Sequence, residues 1–90
     1  MMLIALFKNG EAESFPYSFL VGIKFKPDEL LLDFTRAEVR ISGRNLWTLF
    51  TWLSAHWVAI IPEVDDLYAE AIGENKQTVV TKISVEKKEG

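Results

Sequence analysis

The amino-acid sequence predicts an α+β domain, in which a mainly antiparallel β-sheet of about five to seven strands is packed by one main amphipathic helix over residues 44–57. Three observations predict this class. Several segments alternate apolar and polar residues, which is the period of a half-buried strand. One segment instead has its apolar residues at helical spacing. The length of 90 residues, without a linker or repeat, suits a single domain with residues 87–90 as a solvated tail.

The composition of the chain argues against several classes of function. The net charge of −3 leaves no broad basic surface, so nucleic-acid binding is not expected. The chain has no cysteine, which excludes a disulfide framework, a thiolate nucleophile and Cys-ligated zinc. Its start, MMLIALFKNG, lacks the charged segment that precedes the apolar run of a secretory signal, and it is interpreted as a first strand. Together these features favour the cytoplasm.

The N-terminal part of the chain is predicted to consist of strands. Asn9 and Gly10 separate Met2–Lys8 from Glu11–Phe15. This dipeptide predicts a hairpin with a type I′ turn, because both central residues of that turn need positive φ. The next strand is expected over Tyr17–Phe25. Its alternation gives one apolar face, made of Phe19, Val21, Ile23 and Phe25.

The following two strands have apolar residues of opposite parity. Those of the first strand are at even positions, Leu30, Leu32 and Phe34. Those of the second are at odd positions, Ala37, Val39 and Ile41. Because a one-residue shift would turn an apolar set towards water, we expect a tight turn or a bulge near Thr35-Arg36. Gly43 is then expected to let the chain turn sharply into the helix.

The stretch Asn45–Pro62 contains no Asp, Glu, Lys or Arg, and it holds all three tryptophans and the only histidine. A membrane span usually needs about 20 predominantly apolar residues, and this stretch includes Asn, Ser, Thr and His. A helix capped by Ser42 or Asn45 and followed by a strand, Val58–Ile61, accounts for the same residues. No membrane partner is therefore expected.

The helix has two different faces. A stripe about 100° wide is apolar and is expected to face the core: Leu46, Leu49, Phe50, Leu53 and Trp57. The opposite face has small uncharged residues between two indoles, where a solvated helix normally carries charges. We predict that it is an interface formed by Trp47, Thr48, Thr51, Trp52, Ala55 and His56. Alternatively, other strands of the chain cover it, it is a plain low-charge surface, or it lines a ligand groove.

A second candidate site is an anion-binding site at the start of the helix. Free amides and the helix dipole favour a phosphate or carboxylate there, and basic side chains precede it. The residues of this hypothesis are Arg36, Arg40, Arg44 and Asn45. The competing interpretation is ordinary cross-strand pairing of the arginines with Glu38, Asp33 or Glu11.

Nothing in the sequence predicts a reaction, a metal site or a cofactor. His56 has no nucleophile or carboxylate at helical spacing and is expected to stack on Trp52. An acidic cluster lacks the glycine and oxygen density of a calcium loop: Glu63, Asp65, Asp66 and Glu70. It suits the start of a possible short helix at 65–72, before a final strand, Gln77–Glu86.

These observations predict a small non-enzymatic binding domain. We expect it to self-associate through the Trp-rich helix, with a symmetric dimer favoured because twofold contacts are the commonest. A different protein is the other partner considered. The alternative function is small-ligand or anion binding near Arg44-Asn45.

Overall fold

Seven strands, one α-helix and one short 3-10 turn make up the part of the chain that the computed structural model describes, residues 1–65 and 77–89. The helix α1 spans Leu46–Ser54, and the 3-10 turn spans Tyr17–Phe19. The strands are β1 Met2–Leu6, β2 Ala12–Pro16, β3 Leu20–Lys26, β4 Glu29–Phe34, β5 Ala37–Arg44, β6 Ile60–Pro62 and β7 Val79–Lys87. The predicted α+β class is confirmed.

The strands form two sheets, where one was expected. The first sheet has the order β2-β1-β6, with β1 antiparallel to β2 and parallel to β6. The second has the order β3-β4-β5-β7 and is antiparallel throughout. Both sheets bury apolar residues in the same core, including Leu3 of β1 in the first sheet and Leu30 of β4 in the second.

One hydrophobic core joins both sheets and the helix. The helix contributes Leu46, Leu49 and Leu53, all buried, and Phe50 packs at the edge of the core. Between the sheets, the rings of Phe15 and Phe34 stack with centroids 5.0 Å apart. Each large side chain buried here contributes about 1.5–3 kcal/mol to stability. The predicted parity of β4 and β5 is confirmed, since all six of their alternating apolar residues are buried.

The first hairpin forms where it was predicted, but with a different turn. The Gly10 amide donates to the Phe7 carbonyl (3.0 Å) and the Phe7 amide donates to the Glu11 carbonyl (2.8 Å). Gly10 has a φ of 93° while Asn9 keeps a negative φ, so this is a three-residue loop with a glycine bulge. The Asn9 side chain accepts from the Glu11 amide (2.9 Å), which favours this loop over a type I′ turn.

The apolar face predicted for the third strand is only half correct. Ile23 and Phe25 are partly buried, but Phe19 and Val21 are exposed. Phe19 belongs to the 3-10 turn, and the pairing register with β4 shifts between Leu20 and Gly22. Because of this bulge, the side chains before Gly22 point to the side of the sheet opposite to the one that the alternation predicts. Phe34 pairs with Ala37, which leaves Thr35-Arg36 as the expected tight turn.

The helix is shorter at its start than predicted. Arg44 still belongs to β5, where it pairs with Val79. Asn45 then has a φ of 56° and a ψ of 47°, the left-handed conformation, and its side chain makes no capping hydrogen bond. Instead its Nδ2 donates to the Gln77 carbonyl (3.0 Å). The sharp change of direction therefore occurs at Asn45, not at Gly43.

The helix also ends earlier than predicted. His56 has a φ of 61°, its amide donates to the Leu53 carbonyl (3.0 Å), and the Trp57 amide donates to the Trp52 carbonyl (2.9 Å). This pair of hydrogen bonds is a Schellman motif with histidine in the left-handed position. Trp57 consequently leaves the helix and is 75% exposed, so its predicted place in the core stripe is wrong.

The C-terminal part of the chain differs in smaller ways. The strand predicted at Val58–Ile61 is Ile60–Pro62. The last strand extends through Lys87, and the Lys88 amide donates to the Arg36 carbonyl (2.9 Å), so the predicted tail is attached to the sheet at these two residues. The possible helix at 65–72 lies almost wholly outside the described residues. Within residues 1–65 and 77–89, no helix is long and apolar enough to cross a membrane.

Candidate functional site

The six residues predicted to form an interface all lie on the exposed side of α1 or at its C-terminal end. We call this surface the α1 face: Trp47, Thr48, Thr51, Trp52, Ala55 and His56. The face carries no formal charge apart from any proton on His56. Leu46, Leu49 and Leu53 hold it in place by fixing the opposite side of the helix in the core.

Trp47 is anchored at one edge of the α1 face. Its ring meets Phe25 of β3 edge-on, with centroids 5.1 Å apart, and lies tilted against Phe50 at 5.3 Å. Even so, 58% of the residue is exposed. A large side chain that is already held by aromatic neighbours loses little rotamer freedom when a partner covers it.

Trp52 lies on the other edge of the face and is 50% exposed. Within the described residues its indole has no ring contact such as those of Trp47. Thr51 lies between the two tryptophans, and its hydroxyl donates to the Thr48 carbonyl (2.8 Å). The Ser54 hydroxyl donates to the Phe50 carbonyl (2.8 Å). Because these hydroxyls already have a partner, covering them with protein leaves fewer polar groups unsatisfied.

His56 does not stack on Trp52 as predicted. Its left-handed backbone turns the imidazole towards Tyr17, and the two rings stack with centroids 4.4 Å apart and an interplanar angle of 24°. The Tyr17 hydroxyl donates to the Val58 carbonyl (2.7 Å). Burial raises the pKa of Tyr17, and the hydrogen bond to Val58 opposes this in part. The Tyr17–His56 stack thus fixes the end of α1 against the 3-10 turn.

A second apolar surface was missed by the sequence reasoning. Directly paired residues share a sheet face, so the outward side of the first sheet, here called the sheet face, can be identified from the strand register. It consists of Met2, Ile4, Leu6, Ala12, Ser14, Pro16, Ile60 and Pro62. None is charged, and Ile60 is 54% exposed. The available signal was that MLIAL is apolar at both odd and even positions, although only one side of β1 faces the core.

The four residues of the anion hypothesis are not brought together. Arg36 lies in the β4–β5 turn and Arg44 at the far end of β5, so about eight strand residues, roughly 26 Å, separate them. Arg40 pairs with Glu29 across the strands and with Glu38 on its own strand, each at 3.4 Å; of these two partners only Glu38 was among the acidic residues expected. The Asn45 side chain is bonded to the Gln77 carbonyl.

Glu63, from the acidic cluster, connects the two sheets. Its Oε1 accepts from the Lys8 amide (3.0 Å) and its Oε2 accepts from the Ile83 amide (2.7 Å). Both carboxylate oxygens are therefore used by backbone donors. Asp66 and Glu70 lie outside the described residues. Among residues 1–65 and 77–89, no group of three or more His, Asp or Glu side chains is arranged to hold a metal ion.

Comparison of the chain with protein-family models, with curated proteins and with solved structures finds no match. The fold class and the two apolar surfaces are therefore the basis for any statement about function.

Proposed function

We propose that this protein is a small binding domain that self-associates through the α1 face. The observation that supports the proposal is the exposure of Trp47 and Trp52 at the two edges of one helix face without charged residues. Tryptophan is the residue most enriched among those that dominate binding energy at interfaces. Thr48, Thr51 and Ala55 between them are small enough for a second helix to approach closely.

Side-chain packing of the α1 face is favoured over pairing of open sheet edges. β3 is an edge strand of the second sheet, but it has a bulge between Leu20 and Gly22 and carries Lys24 and Lys26. Bulges and edge lysines are the usual protection against strand addition. β2, an edge of the first sheet, ends in Pro16, which has no amide to donate.

The size of the α1 face sets the expected affinity. A helix of nine residues is about 13 Å long. The area that one face of such a helix offers to a partner is smaller than the ~800 Å² per partner of a standard interface. Contacts of this size belong to weak or transient complexes. We therefore propose a dimer with a dissociation constant in the micromolar range, about −8 kcal/mol.

The decisive measurement is the oligomeric state against protein concentration, by sedimentation equilibrium or light scattering. We expect the mean mass to rise from monomer to dimer across the micromolar range. Trp52→Glu, which places a charge where half of the side chain is already exposed, should give a folded monomer at all these concentrations. Circular dichroism and thermal unfolding check that the variant is folded.

Ile60→Glu is the matched control, because Ile60 is equally exposed and lies on the sheet face. We expect it to remain a dimer. A monomeric wild-type protein at high micromolar concentration would refute self-association. A dimer that persists in Trp52→Glu but dissociates in Ile60→Glu would assign the interface to the sheet face instead.

The cellular compartment is part of the same proposal. The chain contains no cysteine, which fits a reducing compartment such as the cytoplasm.

A further inference from the structure

A cleft outside the α1 face combines an apolar floor with basic side chains. It lies where β2 and the 3-10 turn meet the β4–β5 turn and the end of β7, and its volume is about 310 Å³. The 3-10 turn also contacts the end of α1 through the Tyr17–His56 stack, but none of the lining residues comes from α1. They are Glu13, Ser14, Phe15, Pro16, Phe19, Phe34, Arg36, Ala37 and Lys87.

The floor of the cleft is aromatic. Phe15 and Phe34 are both buried and stack on each other at 5.0 Å, and Phe19 is 49% exposed at the rim. A volume of this size is at the lower end of the range of small-molecule sites, which are lined mainly by apolar and aromatic side chains.

Hydrogen bonds hold the walls in place. The Phe19 carbonyl accepts from both the amide (2.8 Å) and the hydroxyl (3.2 Å) of Thr35, which joins the 3-10 turn to the β4–β5 turn. On the other side, the Lys88 amide donates to the Arg36 carbonyl (2.9 Å). A ligand therefore enters a gap that is already formed, which reduces the ordering cost of binding.

The charges around the cleft favour an anionic ligand. Lys87 Nζ lies 5.6 Å from the centroid of the Phe15 ring and is paired with Glu13. That pair is internally neutral. Among the described residues, the Arg36 guanidinium has no ion pair, so one positive charge at the rim is left without a counter-charge. A guanidinium binds a carboxylate through two parallel hydrogen bonds.

We propose that this cleft binds a small aromatic carboxylate, with its ring packed on the exposed ring of Phe19 and on the edges of Phe15 and Phe34, and its carboxylate on Arg36. The proposal is independent of self-association, because it uses no residue of the α1 face. It retains Arg36 from the original anion hypothesis but places the site about 26 Å along β5 from the helix start.

Benzoate is the probe, with benzamide as its neutral isostere and acetate as an anion without a ring. The full chain is labelled with ¹⁵N and titrated, and the shifts of its backbone amide resonances are followed. We expect benzoate to produce saturable shifts centred on Phe15, Phe19, Arg36 and Ala37. Benzamide and acetate should bind at least about tenfold more weakly, since each lacks one of the two contacts.

Arg36→Gln should weaken benzoate binding by at least about tenfold. Arg40→Gln is the matched control, because Arg40 lies on β5, four residues after Arg36, but does not line the cleft and is paired with Glu29 and Glu38; it should leave the benzoate affinity unchanged. Phe19→Ala removes an exposed ring of the rim and should also weaken binding. All three side chains are exposed, so the variants are expected to fold.

Four results would overturn the proposal. No saturable shift at millimolar benzoate would mean that the cleft is not a site. Equal affinity for benzamide would show an apolar cleft without a role for Arg36. Equal affinity for acetate would show a plain anion site, and an unchanged affinity in Arg36→Gln would place the carboxylate elsewhere.

Discussion

Gly43→Ala tests how closely β5 and β7 approach each other. Gly43 lies at the bulge where the pairing of β5 with β7 shifts register. A Cβ added there would lie 1.9 Å from the Val79 carbonyl oxygen and 2.9 Å from the Val79 carbonyl carbon. Both contacts are with backbone atoms, so no side-chain rotation relieves them. Ordinary van der Waals contact begins at 3.4 Å, and the two strands must separate by about 1.5 Å.

The energetic cost follows from that displacement. It disturbs the adjacent pairs Gly43–Val80 and Arg44–Val79, and the loss of one hydrogen bond between them costs about 1 kcal/mol. Overpacking strain adds about 1–3 kcal/mol. We therefore expect Gly43→Ala to lower the free energy of unfolding by about 2–4 kcal/mol. For a domain of this size that lowers Tm by roughly 8–32 °C.

Gly22→Ala is the internal control for this experiment. Gly22 lies in the edge strand β3, and its added Cβ would meet no atom within 4 Å. Alanine restricts the unfolded chain more than glycine does, so this variant should be unchanged or more stable by about 0.5 kcal/mol. Thermal and urea unfolding at one fixed protein concentration measure both. If the free energies of unfolding of Gly43→Ala and Gly22→Ala differ by less than about 0.5 kcal/mol, β5 and β7 do not approach each other as closely as described.

Two further predictions concern hydrogen bonds that join distant segments. Tyr17→Phe leaves the partly buried Val58 carbonyl without its donor, and should lower the free energy of unfolding by about 1–2 kcal/mol. Because burial raises the pKa of Tyr17 above 10.0, its contribution to stability is present at lower pH and is lost as the pH rises through the folded-state pKa. Tyrosinate absorbance against pH should show one of the two tyrosines titrating late in wild type, and that component should be missing in Tyr17→Phe. Glu63→Ala removes the acceptor of the Lys8 and Ile83 amides and should cost about 2–4 kcal/mol in urea unfolding, whereas exposed Glu86→Ala should cost less than about 0.5 kcal/mol. Equal effects of the two Glu variants would contradict the bridging role.

Local patterns predicted the elements well where each one buries a regular apolar set. The parity change between Phe34 and Ala37 correctly placed a tight turn, and Leu46, Leu49 and Leu53 correctly defined the buried side of α1. In both cases a period of two or 3.6 residues determines which side chains meet the core. The same reasoning predicted the α1 face, because a lack of charge is visible in the sequence.

The errors arise where backbone geometry or distant contacts decide. Trp57 was assigned to the core because helix ends are usually marked by glycine, and here His56 takes the left-handed position. The alternation fails for Phe19 and Val21 at a bulge next to Gly22; an isolated glycine within a strand often marks a bulge, and this signal was not used. The cleft beside Arg36 forms where β2 and the end of β7, which are far apart in the sequence, meet the β4–β5 turn, and no local pattern predicts that meeting.

The parallel pairing of β1 with β6 has a consequence for synthesis on the ribosome. Ile4 pairs with Ile60, so one backbone edge of β1 stays open during synthesis until Ile60, 56 residues later, has been added. Throughout that interval the apolar residues of Met2–Leu6 can be covered by β2 on one edge of the strand, but the β6 edge has no partner. Nascent chains of this protein are therefore expected to need early protection, and chaperone engagement should be strongest before Pro62 leaves the exit tunnel.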